Sequence, residues 1–377
     1  TPRSALPSSF HRDGFGQVPR LVNIEALGSS QFHAKNVEGN DGQEWLHKDR
    51  RKGQGNDLIR MGQDRSISLF RKGNHPGASS QPALNIYPQL SLQRDRLSEF
   101  SIAGCYFALH NQEGVQRRPL RWRSATPAKI QRMQRLSQLF PDDYLEQIDN
   151  EVTYHQAGIW QSLSPAGLQD AKVCELRPSK GQMRLYDAAG HALSQADITL
   201  LAAGTGMHTL TSLALKNVRG QSIRIQSKHA LPEFLTGDIN ITHLDGHDFL
   251  VGSTYELGSN DSQTRLLDTD RLMSDLAQTL QHRDFTLTSA HAGIRTTFSD
   301  RVIGAGLLPT DALTTAIMDQ GVGQHLEPMP ACYALMGLGS HGATHAPLAA
   351  EAIVSAFCGA PSPLPRDLAH LIRLDRF

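Results

Sequence analysis

Near the C-terminus, residues 334–352 read ALMGLGSHGATHAPLAAEA, in which Gly337, Gly339 and Gly342 precede a run of alanines. The alanines favour helix, and Pro347 fits its first turn. Glycine tolerates a positive φ and lets backbone approach a ligand closely, while the free N–H groups of a helix N-terminus attract an anion or an electron-rich carbonyl. The segment therefore predicts either a ligand-binding turn or a tight packing turn against a sheet.

The composition indicates a globular protein without a strong charge bias. The chain has 377 residues, of which 39% are hydrophobic and 20% charged, enough for two domains or one large two-lobed unit. Lys+Arg and Asp+Glu both number 37, so a polyanionic partner would need a local basic patch. No apolar run reaches the ~20 residues of a membrane span, and the N-terminus lacks a signal-peptide core. We therefore expect a cytoplasmic protein with no membrane contact.

The cysteines show no pattern of a metal site. They are scattered, without a CxxC pair, at Cys105, Cys174, Cys332 and Cys358. This spacing predicts free thiols in a reducing compartment and no bound metal.

Hydrophobic patterning predicts an α/β protein with two sheets. The segment ADITLLAAGTG (196–206) predicts a buried strand that ends in a glycine turn, which is typical of a parallel sheet. QSIRIQ (221–226) and HDFLVGSTYE (247–256) predict strands of a second, mostly antiparallel sheet. Helical spacing appears at 96–112, at 127–140 and at 267–281, the last with Asp268 or Thr269 as N-cap.

The segment GLGSHGATHAPLAAE (337–351) resembles the flavin-contacting segment of the FAD-dependent oxidases of the D-amino-acid-oxidase superfamily. A narrower resemblance is to the FAD-dependent oxidoreductase half of the bifunctional proteins that synthesise tRNA 5-methylaminomethyl-2-thiouridine. Position 341 is His where that family usually has Arg. The residues that match its GSRG…APL.AE segment are Gly339, Ser340, Gly342, Ala346, Pro347, Leu348 and Glu351.

Five further segments resemble the same family in the same order, so the resemblance covers about residues 66–377. They are GASSQPALNIYPQLS (77–91), TYHQAGIW (153–160), ITLLAAGTG (198–206), NVRGQSIRI (217–225) and AGIRTTFSDRVIGAGLLP (292–309). The resemblance implies FAD as cofactor. The residues that it implies for FAD binding are Gly77, Ala78, Ser79, Ala203, Gly204, Gly339, Ser340, His341, Gly342 and Ala343.

The resemblance also implies the fold class and the domains. The class is α/β, with an FAD/NAD(P)-binding-type parallel sheet domain and a second, mixed or antiparallel-sheet substrate domain. The FAD-binding domain is expected from 45–110, 158–215 and 293–377, the substrate domain from 111–157 and 216–292, and a linker or poorly ordered segment over 1–44.

Arg295 is the expected catalytic anchor, because a planar guanidinium can hold a carboxylate through two hydrogen bonds. In related oxidases the matching arginine grips the substrate carboxylate; the alternative is a salt bridge, such as one with Asp300. Tyr154 and Tyr255 are expected to wall the pocket or stack on a base, with core packing as the alternative. Arg219 is expected to pair with a carboxylate in a structural role.

The resemblance implies oxidative removal of the carboxymethyl group of 5-carboxymethylaminomethyl-(2-thio)uridine in tRNA, which leaves the 5-aminomethyl form. The tRNA is then the partner, and later methylation would require a separate SAM-dependent methyltransferase. The basic stretches at 47–52 and 116–123 could contact tRNA phosphates or be solvated faces.

The start of the chain departs from the family pattern. A GxGxxG fingerprint is expected near 48–53, where the sequence is KDRRKG. An acidic residue is expected at the end of the second strand, where this sequence has Arg71. The dinucleotide fingerprint is therefore degenerate. Two alternatives follow: an FAD-dependent glycine or amino-acid oxidase with the same fold, or a non-catalytic paralogue that has lost FAD.

Overall fold

In the computed structural model, the described residues are 21–25, 67–71, 77–78, 80–161, 168–281, 283–313 and 331–376. Their secondary structure falls into two large sheets, two small sheets and six α-helices. Among these helices, none combines the length and the apolar composition that crossing a bilayer requires. All four cysteines are free, as the sequence predicts.

The first large sheet is the predicted parallel sheet. Its strands, in sheet order, are β20 (Gly304–Leu307), β21 (Ala331–Met336), β13 (Ile198–Ala202), β1 (Leu21–Glu25), β2 (Ile67–Arg71) and β9 (Leu168–Asp170). Only the edge strand β20 is antiparallel to its neighbour. The chain passes from β1 to β2 on one side and returns to β13 on the other. The carboxyl ends of β1 and β13 therefore form a topological switch point, where open α/β sheets bind nucleotides.

Strand β1 corrects two predictions about the N-terminal region. The sequence predicts a linker or poorly ordered segment over 1–44, but Leu21–Glu25 pairs with both β13 and β2. The fingerprint was expected at 48–53, directly after a first strand, but the first described strand of this sheet ends at Glu25. Residues 26–66 lie outside the described part of the chain.

The second large sheet is mixed and mostly antiparallel, as predicted. Its main path is β18 (Glu256–Leu257), β14 (Lys216–Ser227), β17 (Asp248–Gly252), β16 (Asn240–Asp245), β15 (Phe234–Gly237), β5 (Leu120–Arg123), β7 (Glu151–Tyr154) and β6 (Leu145–Ile148). The long strand β19 (Phe285–Thr297) pairs with β14, and only β15 and β5 are parallel.

The remaining described strands form two three-stranded sheets. One contains β3 (Leu84–Ile86), β8 (Gly158–Trp160) and β4 (Val115–Arg117); the other contains β10 (Glu175–Ser179), β11 (Gln182–Tyr186) and β12 (Ala192–Ala196). The second packs its buried Leu176, Met183 and Leu185 into the same core as Leu201 of the parallel sheet. Burial of these side chains fixes the small sheet on the large one.

The helices are α1 (Arg96–Asn111), α2 (Pro127–Ser137), α3 (Met207–Leu210), α4 (Leu266–Leu280), α5 (Gly342–Cys358) and α6 (Arg366–Leu371). Asp95 is the N-cap of helix α1, and its carboxylate accepts the N–H of Ser98 at 2.8 Å. It packs closely on α5, because a Cβ at Gly104 would lie 2.7 Å from the Thr344 carbonyl oxygen.

Two predicted helix starts need correction. The N-cap position of helix α4 is Arg265, one turn before the predicted Asp268 or Thr269. Helix α5 begins at Gly342, so Pro347 lies in its second turn and not in its first.

The structural role predicted for Arg219 is confirmed. This side chain is 0% exposed; it donates to an Asp268 carboxylate oxygen at 2.5 Å and to the Gln263 carbonyl oxygen at 2.6 Å. These bonds tie helix α4 to strand β14, and the pairing satisfies a buried charge that would otherwise be costly.

Candidate functional site

A cavity of about 410 Å³ lies between the second large sheet and the N-terminus of helix α5. Its floor is the sheet. Alternate residues of a strand point to the same face, and the floor residues are Gly220 and Ser222 of β14, Leu250 and Gly252 of β17, and Asn240 and Thr242 of β16. The small residues Gly220, Ser222 and Gly252 leave this part of the floor open to a ligand.

The turn before helix α5 forms the opposite wall. Gly337 and Gly339 adopt φ +69° and +55°, the left-handed region that favours glycine. A Cβ at Gly337 would lie 2.5 Å from the Phe298 ring, so this glycine serves packing. Gly339 and Gly342 line the cavity. The turn is therefore both a packing turn and a wall of the site.

The N-terminus of helix α5 lies at the wall of this cavity. Gly342 and Ala343 line the wall, and the first N–H groups of a helix have no partner within it. The next two N–H groups, of Thr344 and His345, donate to the carbonyl oxygen of His341 at 3.1 and 3.0 Å. Among the described residues, the N–H groups of Gly342 and Ala343 have no partner, and together with the helix dipole they favour negative charge at this wall.

Arg295 of β19 is the one charged side chain among the described residues that line the cavity. Its guanidinium donates to Ser340 Oγ at 3.0 Å and to Ser253 Oγ at 3.4 Å. No carboxylate in the described part of the chain lies within 4 Å of it. Asp300, the alternative partner, contacts Arg376 at 3.1 Å instead. Burial lowers the pKa of Arg295, against the opposite effect of Tyr255 and Tyr87, but a guanidinium stays cationic at neutral pH.

The structure separates the two predicted tyrosines. Tyr255 lines the cavity and is 61% exposed, so it stands at the cavity mouth. Tyr154 lies behind the wall in a hydrophobic core, with its ring 6.1 Å from that of Tyr87. Tyr87, which belongs to one of the family-like segments, takes the wall position instead. Burial raises the pKa of both Tyr87 and Tyr154, so both are neutral phenols.

The predicted cofactor residues fall into three groups. Those that line the cavity are Ala78, Gly339, Ser340, Gly342 and Ala343. Ala203 and Gly204 follow β13 at the switch point of the parallel sheet, away from the cavity wall. Gly77 sits beside the cavity, where its carbonyl oxygen lies 3.2 Å from His291 Nε2. Ser79 lies outside the described residues.

His341 lies behind the turn. Its ring meets Tyr87 edge-on at 5.4 Å and stacks with His345 at 5.7 Å. Burial, with a smaller effect of Arg295, lowers the pKa of His341 to about 4. It is therefore neutral at pH 7 and supplies no fixed positive charge at the position where the family usually has Arg.

Several polar wall residues escape the sequence prediction. They are Gln81, Asn85, Ser222, Thr236, Asn240, Thr242 and Ser253. The available signal was the period-two pattern of small and polar residues, Gly220 with Ser222 and Asn240 with Thr242, which marks one strand face as open to a ligand.

The donor set fits the reactive ring of a flavin. The left-handed turn at Gly339 brings backbone without a side chain to the cavity, and the unpaired N–H groups of α5 suit a ring that gains negative charge on reduction. The switch point at Ala203 and Gly204 suits the nucleotide half. Fold and site together define a two-lobed oxidoreductase built around a nucleotide cofactor.

Comparison with known proteins shows to which family of oxidoreductases the chain belongs. The family model for FAD dependent oxidoreductases, DAO, matches residues 166–356. The chain belongs to this family, and it is an oxidoreductase whose cofactor is FAD.

Two curated relatives carry the same name, tRNA 5-methylaminomethyl-2-thiouridine biosynthesis bifunctional protein MnmC. The one from Caulobacter vibrioides is 33% identical over 195 residues, 52% of this chain and 30% of the relative. The one from Burkholderia pseudomallei is 26% identical over 356 residues, 80% of this chain and 53% of the relative. The chain thus spans about half, or less, of the length of these relatives.

Among solved structures, the glycine oxidase of Geobacillus kaustophilus is similar with a TM-score of 0.61 at 15% sequence identity. The similarity covers 82% of this chain and 92% of that one. This likeness supports the fold that the sheets define.

Proposed function

We propose that the chain oxidises the C–N bond of the 5-carboxymethylaminomethyl group on tRNA wobble uridine, releasing glyoxylate and leaving the 5-aminomethyl form. The observation that carries the proposal is Arg295, the one cation among the described lining residues, with no carboxylate partner in the described chain. It matches a substrate that ends in a carboxylate. The names of the MnmC relatives supply tRNA modification as the context.

The overall reaction converts R–NH–CH₂–COO⁻ and water to R–NH₂ and glyoxylate, with two electrons and two protons passed to an acceptor. Bound FAD supplies that two-electron acceptor. Arg295 binds the carboxylate through its planar fork and sets which carbon faces the cofactor. The N–H groups of Gly342 and Ala343 stabilise the negative charge that develops at their wall.

Three of the four arginines in the basic stretch 116–123 pair with carboxylates, which limits this stretch as a contact for tRNA. In this stretch Arg118 contacts Glu233 at 2.7 Å, and Arg121 and Arg123 both pair with Glu151. These cations are already neutralised in part, which weakens them as phosphate ligands. The other predicted stretch, 47–52, lies outside the described residues.

We propose that a SAM-dependent methyltransferase activity acts next on the aminomethyl product. The relatives are named bifunctional, and the chain matches only part of their length. We place both activities in the cytoplasm, where tRNA is modified.

The test uses protein reconstituted with FAD and tRNA that carries 5-carboxymethylaminomethyluridine. Nucleoside mass spectrometry should show conversion to 5-aminomethyluridine, with one glyoxylate released per base. Oxidation of glycine or N-methylglycine at a higher kcat/KM, with no change in the tRNA, would support an amino-acid oxidase instead. Failure to bind FAD at all would support a non-catalytic paralogue.

A further inference from the structure

Two amide side chains line the cavity away from Arg295, and each is held by a buried threonine. Thr242 Oγ1 donates to Asn85 Oδ1 at 2.9 Å, and Thr236 Oγ1 donates to Asn240 Oδ1 at 2.5 Å. Since the amide oxygen is the acceptor end of asparagine, each hydroxyl fixes which way its amide faces.

The nitrogen ends of these amides are available to a ligand. Within the described part of the chain, neither Asn85 Nδ2 nor Asn240 Nδ2 makes a hydrogen bond, although both residues line the cavity. Polar groups that lose water on ligand binding need a partner. A ligand that covers both amide nitrogens must therefore offer two acceptor atoms.

The same cavity also offers an acceptor. Gln81 Nε2 donates to Ser222 Oγ at 2.6 Å, which leaves Gln81 Oε1 facing no donor among the described residues. The pairing edge of uracil presents two acceptors, at positions 2 and 4, on either side of the N3–H donor. Cytosine carries an amino group at position 4 in place of this acceptor. An amide nitrogen is also a donor, so it cannot bond to that amino group.

The spacing across the floor sets the size of the ligand. Gly252 of β17 lies between Ser222 of β14 and Asn240 of β16 in the register of the sheet. Asn240 is therefore two strand spacings, about 10 Å, from β14. The guanidinium of Arg295 lies against Gly220 on β14. A free amino acid held there is too short to reach Asn240, whereas a nucleoside with a carboxylate on a C5 arm is long enough.

We propose that Asn85 and Asn240 select uridine over cytidine by donating to the base acceptors, while Arg295 holds the carboxylate at the other end. This inference rests on the proposed function and names the part of the substrate that the second wall binds. Thr242 and Thr236 are positioning residues, because they act through the amides.

The test measures Kd by calorimetry on FAD-reconstituted protein, with uridine and cytidine nucleosides that carry the same 5-carboxymethylaminomethyl group. Wild type should prefer the uridine form by at least about tenfold, since a mismatched hydrogen-bonding group is costly in a buried site. Asn85→Ala and Asn240→Ala should each weaken uridine binding by about 5- to 10-fold and reduce the preference. Thr242→Val, which keeps both amides but frees one to turn, should reduce the preference to an intermediate value.

Asn217→Ala is the matched control, because the Asn217 amide bonds to Asn260 and lies 2.8 Å from His208, outside the cavity. It should leave both Kd values unchanged. Equal binding of both nucleosides to wild type, or an undiminished preference in both amide variants with unchanged melting temperature, overturns the inference and leaves the proposed function standing. No binding of either nucleoside overturns both.

Discussion

The guanidinium of Arg295 lies against the backbone of Gly220, so closely that a Cβ at position 220 would collide with Nη2. Strands β14 and β19 pair so that Gly220 faces Gly293 and Arg295 faces Val218. The arginine side chain therefore crosses diagonally over Gly220 to reach the cavity. Gly220 provides this space through its missing side chain and not through an unusual φ.

Gly220→Ala should displace the guanidinium without removing any charge. The nearest atom is the end of a flexible side chain and can move, but the added Cβ would also lie 3.0 Å from the Thr254 carbonyl oxygen. The backbone must therefore shift by a few tenths of an ångström, and we expect a modest fall in melting temperature. The kcat/KM for the carboxymethylamine substrate should fall by about 10- to 100-fold, the range for a charged hydrogen bond worth about 1.5–3 kcal/mol. Steady-state kinetics measure the fall in kcat/KM, and a melting curve on the same sample measures the loss of stability. Unchanged kinetics would show that the position of Arg295 is unimportant.

Arg295→Lys should keep the positive charge and lose the planar fork. We expect kcat/KM for the tRNA substrate to fall by about 10- to 100-fold, because a single ammonium cannot make the two parallel bonds to a carboxylate. FAD content, measured by absorbance, should match wild type. Arg271→Lys, on the exposed face of α4, is the matched control and should change neither. Equal activity of the two variants would assign Arg295 a structural role.

The sequence predicts the elements with strong patterns and misses those without them. ITLLA is a continuous apolar run before a glycine turn, so strand β13 and the parallel sheet were predictable. Strand β1, LVNIE, was missed because no glycine fingerprint of the expected form follows it. The helix after Gly342 was expected, but its start was placed too late because Pro347 suggested a first turn.

The residues of the candidate site were also predicted only in part. Arg295, Gly339 and Gly342 belong to family-like segments and reach the cavity. Asn85 and Asn240 were missed, because their place in the wall comes from hydrogen bonds to Thr242 and Thr236 that no local pattern encodes. Such pairs meet only after strands distant in sequence have assembled.

Gly342→Val separates the two roles of the glycine turn. Position 342 has an ordinary helical φ and lines the cavity, so a branched side chain there should block the flavin edge with little loss of stability. We expect FAD per folded molecule to fall at least severalfold. The control on the same helix is Gly359→Ala, where φ is +66° and no atom lies within 4 Å of the added Cβ. It should cost about 1–2 kcal/mol of stability and leave FAD content unchanged. If Gly342→Val lowers the melting temperature and not the FAD content, position 342 serves packing alone.

The buried histidines behind the turn should make stability depend on pH. Burial lowers the pKa of His341 to about 4 and that of His345 to about 3, with Arg295 beside the first and His341 beside the second. His345 Nε2 lies 2.9 Å from Ser101 Oγ, and its ring packs on Phe100. The ring of His341 meets the neutral Tyr87 edge-on. No acidic side chain contributes to either shift.

Because both pKa values are depressed in the folded protein, the unfolded chain binds more protons between about pH 4 and pH 6.5. The stability from this cluster is therefore full above pH 6.5 and is lost as the pH falls towards 4, by up to about 1.4 kcal/mol per pH unit for each histidine. His345→Gln, which keeps a donor for Ser101 Oγ, should flatten the fall in unfolding free energy measured by urea titration between pH 7 and pH 5. His110→Gln, at an exposed histidine on α1, is the matched control and should follow the wild-type curve. If His345→Gln follows that curve as well, His345 is not the group whose protonation destabilises the fold.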